Sequence, residues 1–115
     1  MSRLMFKISF LALALFASAL QAETRVIILG TGTPVPDAQR AGPGVAVVVN
    51  GEAYIFDAGS GSMMRAIQAA RKFNIPKLEP QLINHLFLTH LHSDHIHDVA
   101  DFASSRWWAR EQRLS

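Results

Sequence analysis

All five histidines of the sequence lie in one short segment, between His85 and His97. Within it, the run THLHSDH at 89–95 supplies four side chains of the kinds that bind metal ions: His90, His92, Asp94 and His95. Neutral imidazole and carboxylate bind Zn²⁺ at about 2.0–2.2 Å. A histidine-rich tract can also bind metal only weakly at a surface, but four candidate ligands directly after an apolar run favour a built site.

The order of these residues predicts two adjacent ions. Residues two apart at the end of a strand point to the same side, so His90 and His92 can converge on one ion. Asp94 and His95 lie past the bend, where the chain turns into a helix, and can reach a second ion. Two ions about 3.5–4 Å apart can clamp both the attacking and the leaving oxygen of a hydrolysis.

Short β-branched runs predict the strands that position this segment. Asn50-Gly51 is a pair typical of a type I′ turn, and the runs on either side of it therefore form a hairpin. The Gly- and Pro-rich segment 30–44 predicts a loop. Strands are expected at 25–29, 45–49, 52–56 and 84–89.

Two helices are expected between and after these strands. Ser62 is expected to cap a helix running from 63 to about 73, with a modest apolar stripe through Met64, Ile67 and either Ala70 or Arg71. A second helix begins near Ile96, where Val99, Ala103 and Trp107 recur at helical spacing beside Phe102. Asp98 and Asp101 suit its positive end, and capping alone is favoured over their accepting a hydrogen bond from a ligand imidazole. Trp107 and Trp108 are expected to pack rather than to form a substrate platform, and in a fragment they would leave an exposed apolar patch.

Other polar groups near the cluster have two interpretations each. Asp57 ends a strand beside glycines and either orients a ligand histidine from the second coordination sphere or forms an Asx turn. Residues 59–61 either offer amides to an anionic substrate group or form a plain tight turn. His85 alternates away from the cluster and is expected to be structural.

The composition excludes several classes of protein. A sequence that is 50% hydrophobic is not that of a disordered polymer, and without Cys it has no disulfide or thiolate zinc site.

Residues 1–22 are typical of a secretory signal peptide: Arg3 and Lys7 precede the apolar run 8–20, and cuts after Ala19 or Ala22 are both plausible. The apolar run is shorter than the roughly 20 residues that span a bilayer, which disfavours a retained anchor.

The remaining chain is electrically neutral. It has nine basic and nine acidic residues, so it has no general basic field, and no nucleic-acid partner is expected. Cleavage of the leader predicts a periplasmic or secreted protein without a stable membrane span. Oligomerisation stays open.

The run HLFLTHLHSDH at 85–95 resembles the H-x-H-x-D-H signature of the metallo-β-lactamase-fold hydrolases. LGTGTP at 29–34, the hairpin and the turn FDAG at 56–59 follow in the same order and are most similar to the ribonuclease Z and arylsulfatase-like branch. The resemblance implies an α/β fold, the αβ/βα sandwich, of which 23–115 would be the N-terminal, truncated part. It also implies that His97 is not a ligand.

By matching position, His90 and His92 would bind the first metal, and Asp94 and His95 the second. Two Zn²⁺ ions are implied, with Mn²⁺ or Fe as alternatives. A metal-bound hydroxide would attack the substrate, and Asp94 would be catalytic by orienting it. The family uses further ligands along the chain, but no histidine follows His97. The 115-residue form is therefore expected to be an inactive fragment.

The function expected from this resemblance is hydrolysis of a small-molecule ester, with a phosphodiester or a sulfate ester ahead of a β-lactam or thioester. Export argues against processing of cytoplasmic tRNA. The non-enzymatic alternative is a metal-binding remnant.

Overall fold

The computed structural model describes residues 23–112, and the predicted signal peptide at 1–22 lies outside the described residues. Within this range four strands and three α-helices follow one another: β1 (Thr24–Gly30), β2 (Gly44–Val49), β3 (Glu52–Phe56), α1 (Ser62–Phe73), β4 (His85–Phe87), α2 (Ser93–Ile96) and α3 (Val99–Glu111). Two short 3₁₀ helices, Pro76–Leu78 and Pro80–Leu82, lie between α1 and β4. The expected α/β class is confirmed.

The strands form one sheet in the order β1-β2-β3-β4. The pairs β1–β2 and β2–β3 are antiparallel, whereas β4 pairs with β3 in parallel. At the predicted hairpin turn, Asn50 and Gly51 have φ values of 50° and 83°. Positive φ at both central residues is what a type I′ turn requires, so this prediction is confirmed.

One face of the sheet is covered by helix. Leu29, Val48 and Ile55 are buried on this face, together with alanines of α1 and Phe102 of α3. The buried residues of α1 are Ser62, Ala66, Ala69 and Ala70. Because these side chains are small, α1 can approach the sheet closely. The expected apolar stripe is confirmed at Ala70, which is buried, but it is wrong at Met64, which is 55% exposed.

The opposite face of the sheet is apolar and open among the described residues. Val26 and Ile28 are 65% and 60% exposed. Cross-strand rings stack here: Tyr54 lies 4.7 Å from His85 between centroids, and Phe56 lies 5.2 Å from Phe87. His85 therefore packs on this face, as expected for a structural residue.

Two local predictions are corrected. The strand expected at 84–89 is only three residues long, because residues 88–92 leave the sheet. The helix expected from Ile96 is broken into α2 and α3. Trp107 and Trp108 are both 62% exposed, in agreement with the apolar patch expected of a fragment, and the buried residue of α3 is Phe102.

No helix within 23–112 combines the length and the hydrophobicity needed to cross a membrane.

Candidate metal centre

Parallel pairing of β3 and β4 brings two distant segments together. Phe56 pairs with Phe87, so both strands end at the same edge of the sheet. Asp57 directly follows β3, and Thr89 and the histidine run directly follow β4. The backbone N–H of Asp57 donates to the carbonyl of Phe87 at 2.8 Å, which continues the pairing to the last residue before the site.

Asp57 is one of the buried carboxylates at this edge. Its φ of 64° is in the left-handed region, which Asp tolerates better than most residues. Oδ1 accepts the backbone N–H of Thr89 at 2.8 Å, and Oδ2 accepts the Thr89 hydroxyl at 2.8 Å. Oδ2 also lies 2.8 Å from Nδ1 of His95.

The electrostatics of Asp57 favour its charged form. Burial alone would raise the pKa of this carboxyl, but the Thr89 N–H, the His95 imidazole and the Thr89 hydroxyl outweigh it. The pKa of Asp57 therefore lies below its ordinary value. The arrangement is that of a carboxylate held ionised beside a histidine.

The four candidate ligands form two donor pairs. Nε2 of His90 lies 3.1 Å from Nδ1 of His92, and Nε2 of His95 lies 3.6 Å from Oδ2 of Asp94. Two ligands at about 2.0–2.1 Å from one tetrahedral ion are about 3.4 Å apart, so each pair has a spacing compatible with one shared ion. The pairs are adjacent, because the His90 and His95 ring centroids are 4.1 Å apart.

Three imidazoles and one carboxylate are ligands that suit zinc, and the structure arranges them as two pairs. Among residues 23–112, no group of three His, Cys, Asp or Glu side chains could hold an ion by itself. Nδ1 of His95 is buried, and its 2.8 Å approach to Asp57 lacks hydrogen-bond geometry. The approach is an electrostatic contact. It occupies the Nδ1 side of the ring and leaves Nε2 facing Asp94.

Asp98 caps α1 rather than its own helix. Its carboxylate accepts the backbone N–H groups of Gly61 and Met63, at 3.3 and 2.9 Å. Ser62 is the first residue of α1 and donates its hydroxyl to Asp98 at 3.4 Å, so the expectation that Ser62 is the cap is wrong.

The expected capping of the last helix by Asp98 is also wrong, because the Asp98 side chain is directed to α1. The Gly61 amide donates to Asp98 and the Gly59 amide to the carbonyl of Pro43. Neither amide is available to a substrate anion. The tight-turn interpretation of 59–61 is therefore the better one.

A cleft opens beside Asp94. It has a volume of about 410 Å³ between the loop after β1 and the start of α1, and its lining includes Arg40, Arg65, Asp94 and His97. Arg65 donates to the carbonyl of Gln39 at 3.1 Å and to Oε1 of Gln68 at 3.3 Å, which fastens the loop to the helix. Sequence reasoning missed both arginines, because neither belongs to a motif or a basic run. It also missed Thr89, for which the position next to His90 was the only signal.

The sheet with helices on one face, and a histidine–aspartate segment at its edge, define an α/β protein with a candidate metal centre. The sequence pattern of the family described as "Metallo-beta-lactamase superfamily" matches residues 39–111. The chain belongs to the metallo-beta-lactamase superfamily. The expected family resemblance is thereby confirmed.

Two curated relatives of the chain share one name. It is 45% identical over 82 residues to "Ribonuclease Z" of Mycobacterium sp. (strain KMS), covering 71% of this chain and 26% of the relative. It is 39% identical over 82 residues to "Ribonuclease Z" of Mycobacterium avium (strain 104), covering 71% of this chain and 27% of the relative. The chain thus spans about a quarter of the length of these relatives.

The expectation that no nucleic acid is involved is wrong. The relatives carry the name of a ribonuclease, an enzyme that acts on RNA. The expectation rested on the neutral net charge and on the predicted export, and neither registers the local charges of the cleft, whose lining includes Arg40 and Arg65 together with Asp37 and Asp94.

A solved structure supports the fold. The chain matches the metallo-beta-lactamase fold protein YhfI from Bacillus subtilis with a TM-score of 0.65 and 18% identity, over 76% of this chain and 33% of that chain. At this identity the match supports the architecture alone. The described sheet and helices therefore correspond to part of the fold.

Proposed function

We propose that this chain supplies the metal-binding motif of a metal-dependent hydrolase that cleaves a phosphodiester bond in RNA. The proposal rests on two adjacent pairs of candidate metal ligands, His90 with His92 and Asp94 with His95. They lie beside a cleft whose lining includes arginines. The 45% identity to proteins named Ribonuclease Z supports RNA as the substrate class. Sulfate esters, β-lactams and thioesters lack such support.

Zinc is the metal we propose for the centre. His90 and His92 would hold one ion, and Asp94 and His95 the other, since three imidazoles and a carboxylate suit Zn²⁺. Bound zinc ions would supply Lewis acidity and activate water at neutral pH. In the described residues each pair provides two protein ligands, whereas a catalytic zinc usually has three. We therefore expect the chain by itself to bind zinc weakly and to turn over substrate slowly.

The chain's own residues have distinct roles in this proposal. Asp57 orients His95 by occupying the Nδ1 side of its ring, which keeps Nε2 directed toward the metal. Asp94 lines the cleft as well as facing His95, so its carboxylate can accept a hydrogen bond from the attacking water. It is the residue we propose as catalytic.

The arginines of the cleft are suited to phosphate. A guanidinium has five N–H donors in a fixed fork that matches a phosphate group. Arg65 uses two nitrogens to hold Gln39 and Gln68, and both arginines are exposed. We propose that they contact the phosphates next to the scissile bond, whereas a small sulfate ester would have no such neighbouring charge.

The test is an assay of the zinc-loaded protein, produced as its natural gene encodes it, on four substrates: a labelled single-stranded RNA, a bis-aryl phosphate, an aryl sulfate and a chromogenic cephalosporin. We expect cleavage of RNA and slower cleavage of the bis-aryl phosphate. Turnover of the cephalosporin or the sulfate alone would contradict the proposal. No turnover with two tightly held zinc ions would favour a non-catalytic metal-binding protein.

Variants separate the site from the fold. His92→Ala should remove RNA cleavage, because it breaks one donor pair. His85→Ala is the matched control, since His85 stacks on Tyr54 at the open face of the sheet and does not belong to either pair. Retained cleavage by His92→Ala would contradict its role as a ligand.

A further inference from the structure

The Asp98 carboxylate connects two distant parts of the chain. It lies 35 residues from Met63, yet it accepts the Met63 N–H at 2.9 Å and the Ser62 hydroxyl at 3.4 Å. Asp98 is 8% exposed, and Ser62 is fully buried. Hydrogen bonds to a charged group that is shielded from water are stronger than those of an exposed helix cap.

Backbone bonds fasten the same two parts. The Asp98 N–H donates to the carbonyl of Ala58 at 2.8 Å, and the Ala58 N–H donates to the carbonyl of His95 at 2.8 Å. Ala58 is therefore held on both sides by the segment that carries the candidate ligands. A Cβ at Gly59 would lie 2.6 Å from the carbonyl oxygen of Asp94, so the turn and the segment are in close contact.

These contacts form one continuous connection from α1 to the candidate ligands. At one end of the turn 57–61, Asp57 contacts Thr89 and His95. At the other end, Asp98 binds the first residues of α1. A shift of the turn would move Asp57 relative to His95, and the position of the turn depends on the bonds to Asp98.

We propose that Asp98 is a positioning residue for the metal centre. Its carboxylate holds the turn 57–61 against residues 94–98, so that Asp57 meets His95 and the Asp94–His95 pair keeps its spacing. The inference rests on the proposed function in that it takes Asp94 and His95 as metal ligands. A residue that merely capped α1 would stabilise the fold without changing metal affinity.

The experiment measures zinc affinity of the full chain by competition with a chromogenic chelator. The variants are Asp98→Ala and Asp98→Asn, and Asp101→Ala is the control, because Asp101 is an exposed carboxylate in the first turn of the same helix. Loss of an outer partner of a metal ligand costs about 10–100-fold in affinity. Since Asp98 acts through the turn, we expect the Kd of Asp98→Ala to rise about tenfold, at the lower end of that range.

Two further readouts do not depend on zinc. Hydrogen exchange of the Ala58 amide in the metal-free chain should be faster in Asp98→Ala and unchanged in Asp101→Ala. The thermal midpoint of each variant shows whether it is folded at the temperature of the titration. If Asp98→Ala does not fold, Asp98→Asn is compared in the same way, because its amide oxygen keeps one acceptor and its volume is conserved.

Three outcomes of these measurements would count against the positioning role of Asp98 or against the metal centre itself. An unchanged zinc Kd in a folded Asp98 variant, with only a lower thermal midpoint, would reduce Asp98 to a helix cap and overturn the inference. Unchanged exchange of the Ala58 amide would overturn it as well. If the unaltered chain binds no zinc, the proposed metal centre itself fails, which distinguishes that failure from one confined to Asp98.

Discussion

Replacing Asp57 by Asn tests the centre at the contact that orients His95. Asn tolerates positive φ as Asp does, so the change leaves the backbone conformation at φ 64° accessible. It removes the charge that faces Nδ1 of His95 and weakens the two hydrogen bonds from Thr89. Both metal affinity and stability should fall.

The magnitudes follow from these contacts. Loss of the orienting carboxylate should raise the zinc Kd by about 10–100-fold, which equals about 1.4–2.7 kcal/mol. A hydrogen bond to a charged group contributes about 1.5–3 kcal/mol, and the Asn oxygen retains one of the two, so stability should fall by about 2 kcal/mol. For a domain of this size that corresponds to a thermal midpoint lower by roughly 10 °C.

The assay is a chelator competition together with thermal unfolding of the metal-free chain. Asp101→Asn removes an exposed carboxylate from the first turn of α3, so it should leave the zinc affinity unchanged and lower the thermal midpoint much less than Asp57→Asn does. If Asp57→Asn matched Asp101→Asn in both zinc affinity and thermal midpoint, the orienting role of Asp57 would be refuted. A change in stability alone would leave Asp57 as a structural residue.

Three further outcomes are expected. The hydrogen bond from Asn84 and the nearby Lys77 lower the pKa of Glu52. The contribution of Glu52 to stability is therefore present above the ordinary Glu pKa and is lost as the pH falls through the lowered value. Acid unfolding of Glu52→Gln should show a weaker pH dependence over that window. Gly59→Ala should unfold the edge of the sheet at a lower temperature and weaken zinc binding, because its Cβ would lie 2.6 Å from the carbonyl oxygen of Asp94, and a midpoint equal to that of the unaltered chain would contradict this close contact. Expressed from Met1, the protein should be recovered from the periplasm with a new N-terminus at Glu23 or three residues earlier, as read by mass spectrometry, if residues 1–22 are a signal peptide as proposed. A cytoplasmic product that retains its initiator methionine would argue against export.

Local signals were sufficient to predict the elements with strong turn chemistry. The Asn50-Gly51 pair specified the hairpin, because both residues accept the positive φ that the turn needs. The helix ending at Phe73 was also predicted, since Asn74 takes the left-handed conformation that ends α1. Such signals act within a few residues and need no tertiary contact.

Tertiary contacts determined what the sequence did not predict. The cap of α1 comes from Asp98, which no inspection of the residues before Ser62 could find. The buried stripe of α1 consists of alanines rather than Met64, because close approach to the sheet favours small side chains over large ones. The contact of Asp57 with Thr89 and His95 required the parallel pairing of β3 and β4, and the sequence alone left the role of Asp57 open.

Net charge was the wrong scale on which to judge a nucleic-acid substrate. A neutral chain lacks the broad basic surface that gives non-specific binding to nucleic acid. A hydrolase needs charge only where the scissile phosphate and its neighbours lie, and two metal ions together with Arg40 and Arg65 would supply it there. The proposal therefore implies weak, salt-sensitive affinity for RNA in the absence of metal, and a strong dependence of binding on the ions and on these two side chains.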